Sequence, residues 1–224
     1  WLAKTLKDLG EKEKAQLEFE QLLDDDPIGY YGTLAQRELG RPLPRLNPSA
    51  VSIRAPADVN VPDNTMSEES NLIFEWLLAT GENELSKQFL YHQYQKKGHD
   101  LTLEQTLSFL EFYARAGAYQ SLFAYVTKLD PLLRKQVLDS KPELIFPRPW
   151  AGLIEETAKK RGVPPELVYS IIRQESSFDP NARSPADAFG LMQLIPQIAK
   201  AAAKSSGLKY SNPEDLYNPE LNIQ

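Results

Sequence analysis

The stretch LVYSIIRQESSF, residues Leu167–Phe178, decides the fold of the C-terminal part of this chain. Its apolar residues recur at the spacing of one helix face, the face that packs against a core, and the stripe continues into a glutamate. Pro165 before the stretch marks a helix start, and Pro180 after it marks the end. The sequence thus predicts a helix with a carboxylate in its last turn, on or beside the buried face. The residues of the stripe are Leu167, Val168, Ile171, Ile172 and Glu175.

Glu175 is a candidate general acid because of this position. A carboxylate beside a core loses hydration, and at a helix C-terminus it faces the negative end of the helix dipole. Both effects favour the protonated form that a general acid needs at neutral pH. The alternative is that Glu175 extends into solvent, or pairs with Arg173 or Arg183, because ionisable side chains are rarely buried without a partner.

The composition is that of a globular protein and excludes several function classes. The 224 residues are 42% hydrophobic and 25% charged, enough for one large or two ordinary domains. A net charge of −6 argues against a nucleic-acid partner, and no apolar run approaches the roughly 18 residues of a membrane span. Without cysteine, and with His92 and His99 as the two histidines, neither a metal site nor a cofactor is expected.

The ends of the chain suggest a piece of a longer protein. It begins with Trp1 inside a helical pattern, without an initiator methionine or a signal sequence, and it closes on NPELNIQ. We therefore expect a fragment, so the sequence carries no information on export.

Three segments predict helical hairpins, each with two amphipathic helices around a glycine. They cover residues 1–27, 74–90 and 107–131, and they resemble tetratricopeptide repeats. Such units bury their apolar faces only by stacking, which predicts an α-solenoid without chemistry of its own. The glycines of the three hairpins are Gly10, Gly81 and Gly117.

Two proline-rich segments divide the chain. The first, near residues 42–62, contains five prolines and predicts an irregular connection. The second, residues 142–150, separates the last hairpin from the helix that follows. We therefore predict a helical-repeat region over residues 1–141 and a separate domain over residues 147–224.

The sequence that follows Glu175, ESSFDPNARSPADAFGLMQLIPQIAK, contains a series of motifs. The glutamate-serine pair is followed by Ser184, by the GLMQ block Gly190–Gln193 and by a Pro-x-x-Ala motif, and Asn222 begins a later motif. With these motifs, residues 147–224 resemble the soluble lytic murein transglycosylase family. The helical hairpins loosely resemble the superhelical region that precedes the catalytic domain in large members of that family.

The resemblance implies an all-α protein: a solenoid of tetratricopeptide-like hairpins followed by a lysozyme-like α domain, of which this chain would hold only part. It implies peptidoglycan glycan strands as the substrate and the bacterial periplasm or cell envelope as the location. It further implies that the helical-repeat region contacts cell-wall synthesis or remodelling proteins.

The resemblance also implies a reaction and site residues. The bond cleaved would be the β-1,4 link between N-acetylmuramic acid and N-acetylglucosamine, with Glu175 acting first as acid and then as base to give a 1,6-anhydro sugar. Ser184 would bond near the acetamido group or Glu175, Gly190 would let backbone approach the sugar, and Gln193 would line the groove. The residues expected to bind substrate are Ser184, Gly190, Met192, Gln193 and Asn222.

Departures from the family pattern leave two alternatives open. Asp187 stands where the family usually has glycine, and Ile198 stands where it has threonine. The protein would then be a non-catalytic peptidoglycan-binding scaffold, or a hydrolytic lysozyme-like muramidase with Asp179 or Asp187 as a second carboxylate. We also expect the isolated chain to turn over glycan poorly, because a truncated domain would leave Glu175 open to water.

Overall fold

A computed structural model describes residues 1–25, 29–42, 65–97 and 101–224. These ranges contain thirteen α-helices and one 3-10 helix, and no strand beyond isolated bridges. The predicted all-α fold is therefore confirmed. The helices are α1 Leu2–Asp8, α2 Lys12–Asp25, α3 Tyr30–Glu38, α4 Glu68–Ala79, α5 Asn83–Lys97, α6 Leu103–Arg115, α7 Tyr119–Lys128, α8 Pro131–Ser140, α9 Pro142–Ile145, α10 Ala151–Arg161, α11 Pro165–Ser176, α12 Pro196–Ser206, the 3-10 helix Pro213–Tyr217 and α13 Pro219–Ile223.

The described residues form two compact units, and the first combines the described part of Trp1–Ser49 with Lys128–Pro142. Within it, α1 packs on α2 and α2 packs on α3. Three of the four core side chains are alanine, so the helices approach closely, and one phenylalanine fills the remaining space. The pair of helices predicted around Gly10 is present. The core residues are Ala3, Ala15, Phe19 and Ala35.

The second unit combines the described part of Ala50–Thr127 with Glu143–Gln224. It begins with two helix pairs, α4 with α5 and α6 with α7, and each pair turns at a glycine with positive φ. The amide after the glycine reaches back five residues, from Ala118 N to Tyr113 O at 2.8 Å in the second pair. This bond satisfies a helix-end carbonyl and reverses the chain. Stacking of the three hairpins into a solenoid stays a prediction.

A ring pair joins α4 to α6 in this unit. Phe74 and Phe112 are both buried and lie edge to face, with 5.1 Å between the ring centroids. The guanidinium of Arg115 lies over the Phe74 ring at 5.6 Å and pairs with Glu75 at 2.6 Å. A phenylalanine ring beneath an arginine recurs beside α11, where Arg173 lies over the half-buried Phe123.

The C-terminal helices enclose a core of their own. Helix α10 packs against α11 and α13, and a cluster of Phe189, Ala199 and Leu216 is buried beside them. Through Phe189, this cluster packs the loop between α11 and α12 against α12 and the 3-10 helix. The division into domains 1–141 and 147–224 stays a prediction, and residues 43–62 of the predicted proline-rich connection lie outside the described residues.

Candidate active site

Helix α11 has the predicted boundaries, but only part of the predicted stripe is buried. Glu175 lies in its last turn, as predicted. The buried residues are Val168, Tyr169 and Ile172. Leu167, by contrast, is 51% exposed, and Glu175 is exposed too. Residues four apart follow one ridge of a helix, so these two lie on the ridge that borders solvent. The prediction that Glu175 loses its hydration beside the core is therefore wrong for this chain, whereas the alternative in which it extends into solvent and the expectation that this chain leaves it open to water agree with the structure. Its carboxylate is open to a ligand.

The chain turns sharply after α11. Ser177 and Phe178 have φ values of 49° and 63°, which a bulky aromatic residue rarely adopts. Phe178 is nonetheless only 2% exposed. Its ring centroid lies 5.4 Å from that of Tyr119, 6.3 Å from Phe123 and 6.5 Å from Tyr169. Burial of this side chain offsets a backbone strain on the order of 1–3 kcal/mol.

Arg173 points into the protein, away from Glu175. Its Cζ lies 3.9 Å from the ring centroid of Phe123 and 5.6 Å from that of Phe146. The guanidinium also donates a hydrogen bond to the backbone carbonyl of Ile145. Burial lowers the pKa of Arg173, because desolvation disfavours the charged form. The alternative in which Glu175 pairs with Arg173 is therefore wrong.

Ser184 and Asp187 lie in one tight loop. Ser184 Oγ accepts hydrogen bonds from the amides of Ala186 and Ala188 at 3.2 and 3.1 Å. Asp187 has φ 55°, a left-handed conformation that aspartate tolerates better than most residues. Arg183 Nη2 donates to Asp187 Oδ1 at 2.7 Å. The alternative in which Arg183 neutralises the candidate acid is therefore wrong too.

Gly190 has no room for a side chain. Its φ is 73°, and a Cβ would stand 2.1 Å from the backbone oxygen of Leu216 and 2.4 Å from Asn222 Nδ2. Atoms do not approach this closely, so only glycine fits. Close packing on the 3-10 helix is a sufficient reason for the glycine, and approach of its backbone to a sugar stays a prediction.

Gln193 closes the GLMQ loop through its side chain. Its Nε2 donates to the carbonyls of Ala182 and Gly190 at 3.1 and 2.9 Å. The amide of Gly190 also donates to Ala182 O, at 2.8 Å. The hydrogen bonds of the described residues thus use the amide nitrogen of Gln193 and leave its oxygen as an acceptor for a ligand.

Asn222 is buried, at 2% exposure, and joins α13 to the loop. Its Nδ2 donates to Phe189 O at 3.0 Å and to Leu216 O at 2.8 Å, and its Oδ1 accepts from the amide of Met192 at 2.8 Å. All three bonds satisfy backbone groups. A direct contact of Asn222 with substrate would break them, so the geometry favours a positioning role.

The structure therefore unites four of the six predicted site residues. Gly190, Met192, Gln193 and Asn222 share one hydrogen-bond network, and Ser184 joins the same loop through Ala188. Among the hydrogen bonds and ion pairs of the described residues, none joins Glu175 to this network. Sequence reasoning missed the ring contacts that hold the turn beside Glu175, because their partners on α7 are distant in the chain.

Other features of this unit lie apart from these residues. An open cavity of about 340 Å³ is lined by residues that include Lys87, Trp150 and the segment 178–181, but by none of the predicted site residues. In the part of the chain that the structure describes, no group of three or more His, Cys, Asp or Glu side chains could hold a metal ion. Within the same ranges, no helix has the length and apolar character needed to cross a membrane.

Comparison with known proteins identifies the C-terminal region. Residues 152–224 match the family described as Transglycosylase SLT domain. The soluble lytic murein transglycosylase of Escherichia coli strain K12 is 35% identical over 79 residues, which are 35% of this chain and 12% of that protein. Membrane-bound lytic murein transglycosylase C of Cronobacter sakazakii is 39% identical over 77 residues, 33% of this chain and 21% of that protein. The matched region is thus well under two thirds of each relative.

Solved structures share the fold over the whole chain. The 70 kDa soluble lytic transglycosylase of Escherichia coli matches with a TM-score of 0.67 and 22% identity, covering 100% of this chain and 33% of that one. An inactive mutant of lytic transglycosylase Slt from Pseudomonas aeruginosa matches with a TM-score of 0.68 and 23% identity, covering 100% and 34%. The fold likeness includes the same C-terminal residues, 152–224, that match the family described as Transglycosylase SLT domain.

Proposed function

We propose that this protein is a lytic transglycosylase that cleaves the β-1,4 bond between N-acetylmuramic acid and N-acetylglucosamine in peptidoglycan. The observation that carries the proposal is the position of Glu175, an exposed carboxylate in the last turn of α11, inside the segment that matches the transglycosylase SLT domain. Relatives named lytic murein transglycosylases support murein as the substrate class.

Glu175 acts first as an acid and then as a base. Its proton passes to the glycosidic oxygen as the bond from that oxygen to C1 of muramic acid breaks. The acetamido oxygen of the same sugar supports the electron-poor C1. The Glu175 carboxylate then takes the proton of the 6-hydroxyl while O6 attacks C1, which gives the 1,6-anhydro sugar. No water is consumed, and the glutamate ends protonated, as it began.

Bound glycan would cover Glu175, which is exposed in this chain. A sugar ring seated over the carboxyl group would exclude water from the site where the proton passes to the glycosidic oxygen. In this scheme Gln193 offers its free amide oxygen to a sugar donor, while Ser184 and Met192 line the groove. Gly190 and Asn222 shape the loop that carries these residues.

The alternative of a hydrolytic muramidase needs a second carboxylate for which the loop offers poor candidates. Asp187 is engaged by Arg183 at 2.7 Å. Asp179 Oδ1 accepts a hydrogen bond from the amide of Asn181 at 2.9 Å, as expected of a turn residue. These contacts favour the mechanism with one carboxylate.

Digestion of purified sacculi by the full-length protein, followed by mass spectrometry of the released muropeptides, tests the proposal. We expect 1,6-anhydro products from the wild type, none from Glu175→Gln and wild-type amounts from Glu166→Gln. Glu166 is the matched control because it is an exposed glutamate in the first turn of the same helix.

Each remaining outcome identifies another function. Products heavier by one water would indicate a hydrolase. Sacculus binding without products would indicate a scaffold. Near wild-type turnover by Glu175→Gln would refute the role of Glu175.

The remaining parts of the proposal concern the whole protein. We place it in the bacterial cell envelope, where its relatives would meet murein, and the periplasm is the compartment we expect. The helical-repeat region, residues 1–141, is proposed as a scaffold for contacts with cell-wall proteins, next to a catalytic domain over residues 147–224.

A further inference from the structure

We propose that α7 is a positioning element for Glu175, acting through the ring of Phe123, which holds Arg173 and Phe178 on the two sides of the glutamate in the chain. The inference rests on the proposed function of Glu175. It assigns a role in the active site to a helix that lies outside the matched SLT segment 152–224.

One ring of α7 contacts both flanks of the segment that carries Glu175. On the N-terminal flank, Arg173 Cζ lies 3.9 Å from the Phe123 centroid. On the C-terminal flank, the Phe178 ring lies 6.3 Å from the same centroid and 5.4 Å from that of Tyr119, one turn earlier on α7. A shift of α7 would therefore move both flanks together.

Because Arg173 is held towards the protein interior, helix geometry directs Glu175 towards solvent. Residues two apart in an α-helix project about 200° apart around its axis. With Arg173 held inward by Phe123 and by the carbonyl of Ile145, Glu175 is directed to the opposite, exposed side. The rotation of the last turn of α11, and with it the direction of the carboxylate, depends on the Arg173 contacts.

The turn after Glu175 needs the same support. Ser177 and Phe178 have positive φ, a conformation that persists only where surrounding contacts enforce it. The buried Phe178 ring is the enforcing contact. Because a displacement of about 1 Å in a catalytic group can lower a rate about a hundredfold, loss of this support should reduce turnover.

Hydrogen exchange in Phe123→Leu tests the clamp without reference to activity. We expect the amides of residues 174–178 to exchange at least about tenfold faster than in the wild type. The matched control is Phe74→Leu, which also removes a ring from beneath an arginine, Arg115, in the same compact unit; Phe74 is buried and Phe123 is half-buried. It should leave exchange at 174–178 unchanged. Unchanged exchange in Phe123→Leu, or an equal increase in both variants, would overturn the proposal.

A second test of the proposal measures the turnover of soluble glycan strands. Phe123→Leu should lower kcat about ten- to a hundredfold, with KM within about threefold of the wild type, whereas Phe74→Leu should lower kcat far less. Phe123→Tyr, which keeps an aromatic face for the guanidinium, should restore kcat to within about twofold. Faster exchange without loss of kcat, or no rescue by tyrosine, would contradict the positioning role.

Two provisions keep the test decisive. If Phe123→Leu does not fold, Arg173→Lys replaces it with the same expected outcomes, because lysine keeps the charge but loses the planar group that stacks on the ring. If the full-length wild type releases no product at all, the proposed function fails, while hydrogen exchange still decides whether α7 holds the turn.

Discussion

Replacing Asn222 by aspartate would remove both N–H donors of a buried amide while keeping its shape. In the wild type these donors reach Phe189 O at 3.0 Å and Leu216 O at 2.8 Å. The bond that Oδ1 accepts from the Met192 amide would remain. The variant therefore tests the two donated hydrogen bonds without changing how the side chain packs.

The expected loss of stability depends on pH. Two hydrogen bonds at about 1–1.5 kcal/mol each give about 2–3 kcal/mol, and an ionised carboxylate facing two carbonyl oxygens adds an uncompensated buried charge, for a total of about 3–5 kcal/mol at pH 7. The folded pKa of the new carboxyl would lie above the ordinary value of about 3.9. Near pH 4 the protonated group donates one bond again, and the loss should fall to about 1–2 kcal/mol.

The sign of this dependence follows from linkage. A group with a raised folded pKa binds more protons in the folded state, so the variant loses stability relative to the wild type as pH rises from about 4 towards that folded pKa, by up to about 1.4 kcal/mol per pH unit. Native-state hydrogen exchange of residues 189–194, together with urea unfolding at both pH values, measures this difference.

Asn218→Asp is the matched control for that experiment. Asn218 caps α13 from an exposed position, and its Oδ1 accepts from the Glu220 amide at 2.8 Å. Aspartate serves this role as well as asparagine, so stability should change little. If Asn222→Asp were as stable as this control at both pH values, the assignment of Asn222 as a buried structural amide would be refuted.

Three further predictions follow from the same structure. Gly190→Ala should lose the folded loop, because its Cβ would overlap the Leu216 carbonyl at 2.1 Å; fast hydrogen exchange around the GLMQ block would show this, and wild-type protection would contradict it. Burial raises the pKa of Tyr119 to about 12, so the unfolded tyrosine ionises first and stability should fall from about pH 10 to about pH 12, by up to about 1.4 kcal/mol per pH unit. Urea unfolding from pH 8 to 12 should show a shallower fall in Tyr119→Phe, and an equal slope would argue against the burial. Asp187→Ala should lower the melting temperature more than Asp187→Gly, because both variants lose the contact with Arg183 but glycine adopts the left-handed conformation freely; the reverse order would refute backbone strain at this position.

Local signals in the sequence predicted much of the candidate site. The start of α11 at Pro165 and the position of Glu175 in its last turn agree with the structure. The GLMQ block was recognised as a unit, and Gly190 and Gln193 do lie in one network. What the pattern could not predict is which part of a wide apolar stripe the neighbouring helices cover, and for this reason Glu175 was expected on the buried side.

The amino-acid sequence by itself determined the helices and the hairpin turns of this protein, because helix formation, capping and glycine turns depend on interactions within about four or five residues. Tertiary structure alone decided which groups those helices bring together. Asn222 reaches Phe189 across 33 positions and Arg173 reaches Ile145 across 28. Such contacts leave no periodic trace in either segment, because burial and side-chain hydrogen bonding depend on the elements that pack together in three dimensions. The positions of Glu175 and of the loop opposite α13 are therefore properties of the folded chain.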